Sequence, residues 1–150
     1  MKEKKENRRI ILIVIILLIL VDQIIKIFLI ITNFKISLNN VLGIYFEEGI
    51  QTNDNLSYIL ISFIVTILLI RYIKSNNIFI KNSNKIVISF AIAGVISNAI
   101  DRIWKGYVIT YINISGFIGL NLGYMYIIVA WVGMAAILTK NTVNQIKQKK

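Results

Sequence analysis

The stretch IVISFAIAGVISNAI, residues 86–100, runs directly into Asp101-Arg102. Nothing within 86–100 is charged, so it reads as a helix inside a bilayer, and the pair that ends it is expensive there. Ionisable groups inside or at the rim of a spanning helix are rare and by default mark a functional site. At helical spacing Asn98 and Asp101 (i, i+3) and Asn98 and Arg102 (i, i+4) share one face. A polar face of that kind needs a partner elsewhere in the chain. On the same helix Ala91, Ala93, Gly94, Ser97 and Ala99 are small residues that allow a neighbouring helix to approach closely.

The remainder of the chain matches this setting. Its 150 residues are 57% hydrophobic, with mean hydropathy +0.73, against about 45–50% apolar residues in soluble domains. The excess lies in four apolar stretches, residues 10–31, 56–73, 86–103 and 117–138. Each is close to the ~20 residues that cross a bilayer as a helix. The expectation is an integral membrane, mainly α protein, one domain over residues 1–150 with four transmembrane helices. The chain has no Cys and no His, which excludes a thiol nucleophile, a Ser-His or Cys-His pair and an ordinary zinc site. Neither metal nor cofactor is expected, and any catalysis falls to carboxylates, hydroxyls, Lys or Arg.

The net charge of +10 is explained by its distribution. With the N-terminus in the cytoplasm, Lys2, Lys4, Lys5, Arg8 and Arg9 lie inside. So do Arg71, Lys74, Lys81 and Lys85 between the second and third spans, and Lys140, Lys147, Lys149 and Lys150 after the fourth. Only Lys26, Lys35, Arg102 and Lys105 fall towards the other side. The positive-inside rule therefore places both termini in the cytoplasm. The basic residues set topology and meet anionic lipid headgroups, and no nucleic-acid role is expected.

The basic head at residues 1–9 and the apolar run after it resemble a signal peptide. No small-residue cleavage site follows, and the run continues into Val21-Asp22-Gln23-Ile24-Ile25-Lys26, so the reading is an uncleaved first span. At ~1.5 Å per residue from Ile10, Asp22 lies ~18 Å along that helix, in the outer half of the bilayer. Asp22 and Lys26 can pair at i, i+4, which on its own describes a self-neutralising ion pair with Lys26 snorkelling outward. Residues 32–55 are long for a connector, and short strands near 36–38 and 44–46 make a small outside-facing β-like segment after the first helix. Residues 108–114 read as another short outside strand. The fourth helix is expected to begin near Phe117, with Asn121, Tyr124 and Tyr126 in its outer turns. Asp22, Lys26, Asp101, Arg102, Asn121 and Tyr124 thus gather towards one face of the membrane. The bland account is a structural polar cluster tying helix ends together.

These residues also resemble the boxes of the lipoprotein signal peptidases (signal peptidase II), in order along the chain. Val21-Asp22-Gln23-Ile24-Ile25-Lys26 is similar to the D-Q-x-x-K box. Gly43-Ile44-Tyr45-Phe46 looks like the end of N-x-G-x-A-F, with the asparagine out of register: Val41 stands at its position and Asn40 one residue earlier. Ser97-Asn98-Ala99-Ile100-Asp101-Arg102 followed by Gly106-Tyr107-Val108 is similar to G-N-x-x-D-R and G-x-V-x-D-F. Leu120-Asn121-Leu122-Gly123-Tyr124 falls where the family has F-N-x-A-D. The resemblance implies an intramembrane aspartyl endopeptidase of the bacterial cytoplasmic membrane. Such an enzyme removes signal peptides from diacylglyceryl-modified prolipoproteins at the outer leaflet, so the implied partners are those peptides and membrane lipids.

It also implies that the two catalytic aspartates are those of V-x-D-F and F-N-x-A-D. Thr110 stands at the first and Tyr124 at the second. Asp101 is the acid retained in the central box, and Asp22, Lys26, Asn40, Asn98, Arg102 and Asn121 match supporting or substrate-binding positions. The seven acids are Glu3, Glu6, Asp22, Glu47, Glu48, Asp54 and Asp101. Glu3 and Glu6 are cytoplasmic, which leaves Glu47, Glu48 or Asp54 to replace the missing pair. A tyrosine, with a reference pKa of ~10, donates a hydrogen bond but is seldom a base near neutrality. Three readings follow: a peptidase using Asp101 with a loop carboxylate, a non-catalytic relative that binds lipidated or signal-peptide helices, and a small transporter or pore. The last lacks ionisable residues through the middle of the bundle. On chemistry alone the residue set favours the non-catalytic relative.

Overall fold

The computed structural model describes residues 2–37, 42–48, 55–75, 82–114 and 118–148. The elements among them are α1 (Lys2–Thr32), β1 (Lys35–Ser37), β2 (Leu42–Glu48), α2 (Asn55–Ser75), α3 (Asn82–Lys105), β3 (Ile109–Ile114), β4 (Ile118–Leu120) and α4 (Leu122–Gln148). Three described helical segments are long and apolar enough to cross a membrane: Arg9–Thr32, Lys85–Lys105 and Leu122–Asn144. The corresponding apolar run in α2, Ile59–Leu68, is shorter. The described residues therefore supply three of the four expected spans.

The segment with the polar face is the centre of the bundle. Inside the protein lies 56% of the apolar window of α3, against 17% for α1 and 22% for α4, and α3 packs against α4, α1 and α2. The small residues make this possible. Ala93 is fully buried, and a Cβ added at Gly94 would run into the Gly123 carbonyl oxygen, so α3 and α4 meet backbone to backbone there. Ile15 of α1, Ala93 of α3 and Tyr126 of α4 form one apolar cluster, in which the Phe90 and Tyr126 rings meet edge to face at 5.5 Å. The opposite face of α1 (Leu12, Ile16, Ile24, Ile31) and that of α4 (Ile128, Val132) stay exposed. In a membrane protein these are the lipid-facing surfaces.

Helix ends follow local chemistry. Asn33 takes a positive φ of 48° at the end of α1, a conformation asparagine tolerates better than most residues. Gly106, at φ 82°, closes α3, and its N–H donates to the Arg102 carbonyl at 3.0 Å. That turn throws the chain into β3, whose run Ile-Thr-Tyr-Ile-Asn-Ile is suited to a strand.

The sheet is antiparallel throughout, in the order β1-β2-β3-β4. The expected strands at 36–38, 44–46 and 108–114 thus correspond to β1, β2 and β3, with shifted ends. One expectation is corrected. Residues 118–120 form β4, with Ile112 opposite Leu120 and Ile114 opposite Ile118, where the fourth helix was expected to have started. The helix begins at Leu122 because Asn121 caps it. The β2–β3 pairing has a bulge: Ile44 faces Ile112, but Glu47 faces Thr110 and Glu48 faces Ile109. One more residue of β2 than of β3 lies between the two pairs.

Candidate active site

Lys26 is the hub. It is fully buried, as are Asp22 and Asp101. Its Nζ lies 2.5 Å from Asp22 Oδ2 one turn back on α1 and 2.7 Å from Asp101 Oδ2 on α3. The i, i+4 pair expected within α1 is present, and α1 is the partner that the polar face of α3 requires. Asn98 Oδ1 lies 3.5 Å from the same ammonium.

Every oxygen of the two carboxylates is engaged. Asp101 Oδ1 accepts from Gln23 Nε2 at 2.9 Å, and Oδ2 accepts from Lys26 and from the Ile109 backbone N–H at 3.2 Å. Asp22 Oδ2 accepts from the Ser97 hydroxyl at 2.5 Å, and Oδ1 from the Tyr111 hydroxyl at 3.0 Å. With every oxygen engaged and no solvent access, both carboxylates hold neighbouring segments in place. What they anchor is the start of β3, through Ile109 and Tyr111.

Asn121 does the same for the start of α4. Its Oδ1 accepts the Tyr124 N–H at 2.7 Å, the N-cap bond that side-chain amides supply. Its Nδ2 donates to Asn98 Oδ1 at 2.9 Å and to the Ile109 carbonyl at 2.8 Å. The Leu122 N–H, a second free donor of that helix end, donates to the Tyr111 hydroxyl oxygen at 2.9 Å. Burial pushes the Tyr111 hydroxyl above the usual phenol range, and the charge of Asp22 beside it adds to this. The phenol therefore holds its proton and passes one chain of hydrogen bonds from α4 through β3 to α1. Asn98 Nδ2 is buried and finds no partner among the described residues.

The site residues expected from sequence fall into two groups. Asp22, Lys26, Asn98, Asp101 and Asn121 form one buried network. Arg102 leaves it and hydrogen-bonds the hydroxyl of Tyr124, in the first turn of α4. Thr110 is buried in β3, so close to Gly119 of β4 that a Cβ there would lie 2.5 Å from its hydroxyl oxygen. Asn40 and Asp54 lie outside the described residues. Sequence reasoning missed Gln23, Ser97, Tyr111 and the Ile109 N–H as members of the network. Gln23 and Ser97 sit inside the quoted boxes and share helix faces with Lys26 and Asp101, so helical spacing could have found them. Nothing local marks Tyr111. Among the described residues no three His, Cys, Asp or Glu side chains cluster as metal ligands would.

The profile of Signal peptidase (SPase) II matches residues 14–140, most of the chain. The chain belongs to the signal peptidase II family. Two solved structures, each described as a bacterial membrane enzyme structure obtained by the in meso method, share the fold. The one at 2.3 Å resolution has a TM-score of 0.72 at 21% identity, covering 89% of this chain and 90% of its own. The one at 1.9 Å has a TM-score of 0.71 at 18% identity, covering 85% and 91%. No curated protein matches the sequence. Membership in the signal peptidase II family makes this a membrane protein of the aspartyl protease class.

Proposed function

We propose that this chain is a lipoprotein signal peptidase of the bacterial cytoplasmic membrane. In this reading it has both termini in the cytoplasm and cleaves signal peptides from diacylglyceryl-modified prolipoproteins at the outer leaflet. The supporting observation is the anchoring of β3 and the first turn of α4 to the α1–α3 network. Those two segments carry Thr110 and Tyr124, which fall where the sequence resemblance implies the family's reacting groups. Buried ion pairs are weak stabilisers compared with apolar packing, so charges spent at this point are best understood as a positioning device. They hold two short segments in fixed relation, as catalysis on a bound peptide requires.

A second reading is a non-catalytic relative that binds lipidated signal-peptide helices. It is favoured by Thr110 and Tyr124 at the two positions where the resemblance implies aspartates and by the engagement of Asp22 and Asp101 within the buried network. Purified protein in detergent, mixed with a diacylglyceryl-modified prolipoprotein, separates the two. The peptidase reading expects the mature lipoprotein to appear in a time-dependent manner. A precursor that crosslinks near Tyr124 yet stays intact over hours would establish the binding reading instead. A companion variant, Thr110→Asp with Tyr124→Asp, is expected to cleave faster than the wild type, because it returns both carboxylates to the anchored segments.

A further inference from the structure

We infer that Trp131 of α4 is a contact on which the apolar helix of a signal peptide docks. The assignment rests on the reading above, that the chain receives lipidated precursors, and adds where their membrane-spanning part lies. Trp131 is 53% exposed and falls near the middle of the 23-residue span Leu122–Asn144. Its indole N–H has no acceptor among the described residues. Tryptophan is favoured at a membrane surface, where the ring meets lipid and the N–H meets water. At mid-depth the lipid tails offer no acceptor, and a donor left unpaired there is costly. A second helix within the membrane can bring an acceptor to that depth.

Trp131 belongs to a stripe that starts in the candidate site. Tyr124, Ile128, Trp131 and Ala135 follow one another at helical spacing along one face of α4. Ile128, Trp131 and Ala135 are exposed, and Tyr124, which accepts a hydrogen bond from Arg102, is half-buried. On the other flank α1 meets α4 through Ile15 and Tyr126. At ~100° per residue Tyr124 lies ~160° and Trp131 ~140° around the helix from Tyr126, so the stripe runs down the side away from α1. Among the described residues α4 packs on α3 and, to a lesser degree, on α1, and on no other element to that extent. Tyr124 to Ala135 is ~16 Å along the helix at ~1.5 Å per residue. An apolar signal-peptide core of about 7–15 residues covers ~10–22 Å as a helix. Continuity with the site and this match in length select the precursor as the occupant. A second copy of the chain on the same stripe would instead cover Tyr124 from the membrane side.

The stripe also selects among precursors. A signal peptide with its basic end inside runs antiparallel to α4. With its cleavage region beside Tyr124, the residue level with Trp131 lies about seven positions towards its N-terminus. A small residue there lets the indole reach the backbone, whose carbonyl oxygen has a second lone pair to accept the N–H. Ala135 and Ala136, exposed one turn deeper, allow the two helices to close together below the ring. The class of ligand that fits is an apolar helix with Gly, Ala or Ser at that level.

The test places a photoreactive residue at position 124, 129 or 131 of the full chain in detergent, with a diacylglyceryl-modified prolipoprotein as the probe. Val129 is as exposed as Trp131, at 51%, but ~160° around the helix from it. Adducts with the precursor are expected from 124 and 131 and not from 129. In parallel, the affinity of a labelled precursor is measured for wild type and Trp131→Phe. The variant keeps a ring and loses the donor, so binding should weaken about 2–10-fold, the size of one hydrogen bond, at an unchanged unfolding temperature. Replacing the small residue of the precursor by Leu should weaken binding to wild type more than to Trp131→Phe, because the two changes act on one contact. Adducts from 124 without 131, equal adducts from 129, or unchanged affinity of Trp131→Phe would overturn the assignment and leave the reading above intact. Adducts from 131 that join only two copies of the chain would replace the precursor by a homodimer. Precursor adducts from neither 124 nor 131 would overturn both. A Trp131→Phe variant that loses affinity and unfolding temperature together would make the ring a packing residue and end the proposal.

Discussion

Lys26 on α1 holds Asp22 and Asp101 at once, with its ammonium 2.7 Å from Asp101 Oδ2 on α3. This single buried cation sets the distance between the first and third helices at the level of the sheet. Removing one partner of a buried charge cluster leaves the others uncompensated, typically at about 3–5 kcal/mol. Lys26→Met is therefore expected to lower thermal stability in detergent sharply. Lys26→Met combined with Asp101→Asn should recover part of the loss, because one of the two stranded carboxylates is gone. Equal stability of wild type and Lys26→Met would show that the network carries no such load.

Tyr111→Phe breaks the chain from Leu122 N–H to Asp22 at its middle. It strands a buried carboxylate oxygen and a helix N-terminal donor, for which about 1–3 kcal/mol each is usual. The pH dependence has a definite sign. The folded-state pKa of Tyr111 is raised by burial and then by Asp22, whereas an unfolded tyrosine titrates near ~10. The contribution of the phenol is thus fully present below pH ~10 and declines as pH rises beyond it. Chemical unfolding from pH 8 to 11 should show wild type losing its advantage over Tyr111→Phe towards the alkaline end. A constant difference would contradict the assignment.

Asn121 has two separable roles, and two substitutions read them. Asn121→Asp keeps an acceptor for the Tyr124 N–H and suits a helix N-terminus. It also places oxygens against Asn98 Oδ1 and the Ile109 carbonyl, which now accept from Asn121 Nδ2. Asn121→Ala loses cap and donors together. Both are expected to destabilise, Asn121→Ala by about 1–2 kcal/mol for the cap alone. Asn121→Asp should be no better than Asn121→Ala in thermal unfolding. A near-wild-type Asn121→Asp would mean that capping is the whole role.

Gly94→Ala tests the helix contact that seats α4. The added Cβ meets the Gly123 carbonyl oxygen and lies 2.8 Å from Ile127 Cγ1, so the helices must part. Overpacking of this kind typically costs about 1–3 kcal/mol. Because Gly123 lies between Asn121 and Tyr124, turnover should fall more than stability alone explains. The comparison is kcat against unfolding temperature for Gly94→Ala and for Gly133→Ala, whose added Cβ would instead meet Val87 Cγ2 at 2.9 Å, deeper in the same α3–α4 seam.

By itself the sequence determined what local spacing and composition can encode. Apolar runs of spanning length, the polar positions on helical faces, the Asp22–Lys26 pair, the small-residue stripe of α3 and the family boxes are all set by near neighbours in the chain. They were legible because a helix repeats on a period that the eye can apply to residues. The tertiary structure alone decided which groups those positions meet. Lys26 bridging to Asp101, and Tyr111 joining Leu122 to Asp22, depend on packing between segments far apart in sequence. The expected start of the fourth helix at Phe117 failed for the same reason: β3 was available to pair with residues 118–120, and strand pairing is not a local property. The position of Glu47 shows this most clearly. Side chains alternate between sheet faces, so one inserted residue in β2 decides whether Phe46 or Glu47 stands opposite Thr110. A bulge leaves no mark in the residue list, and it exists only once the two strands have met.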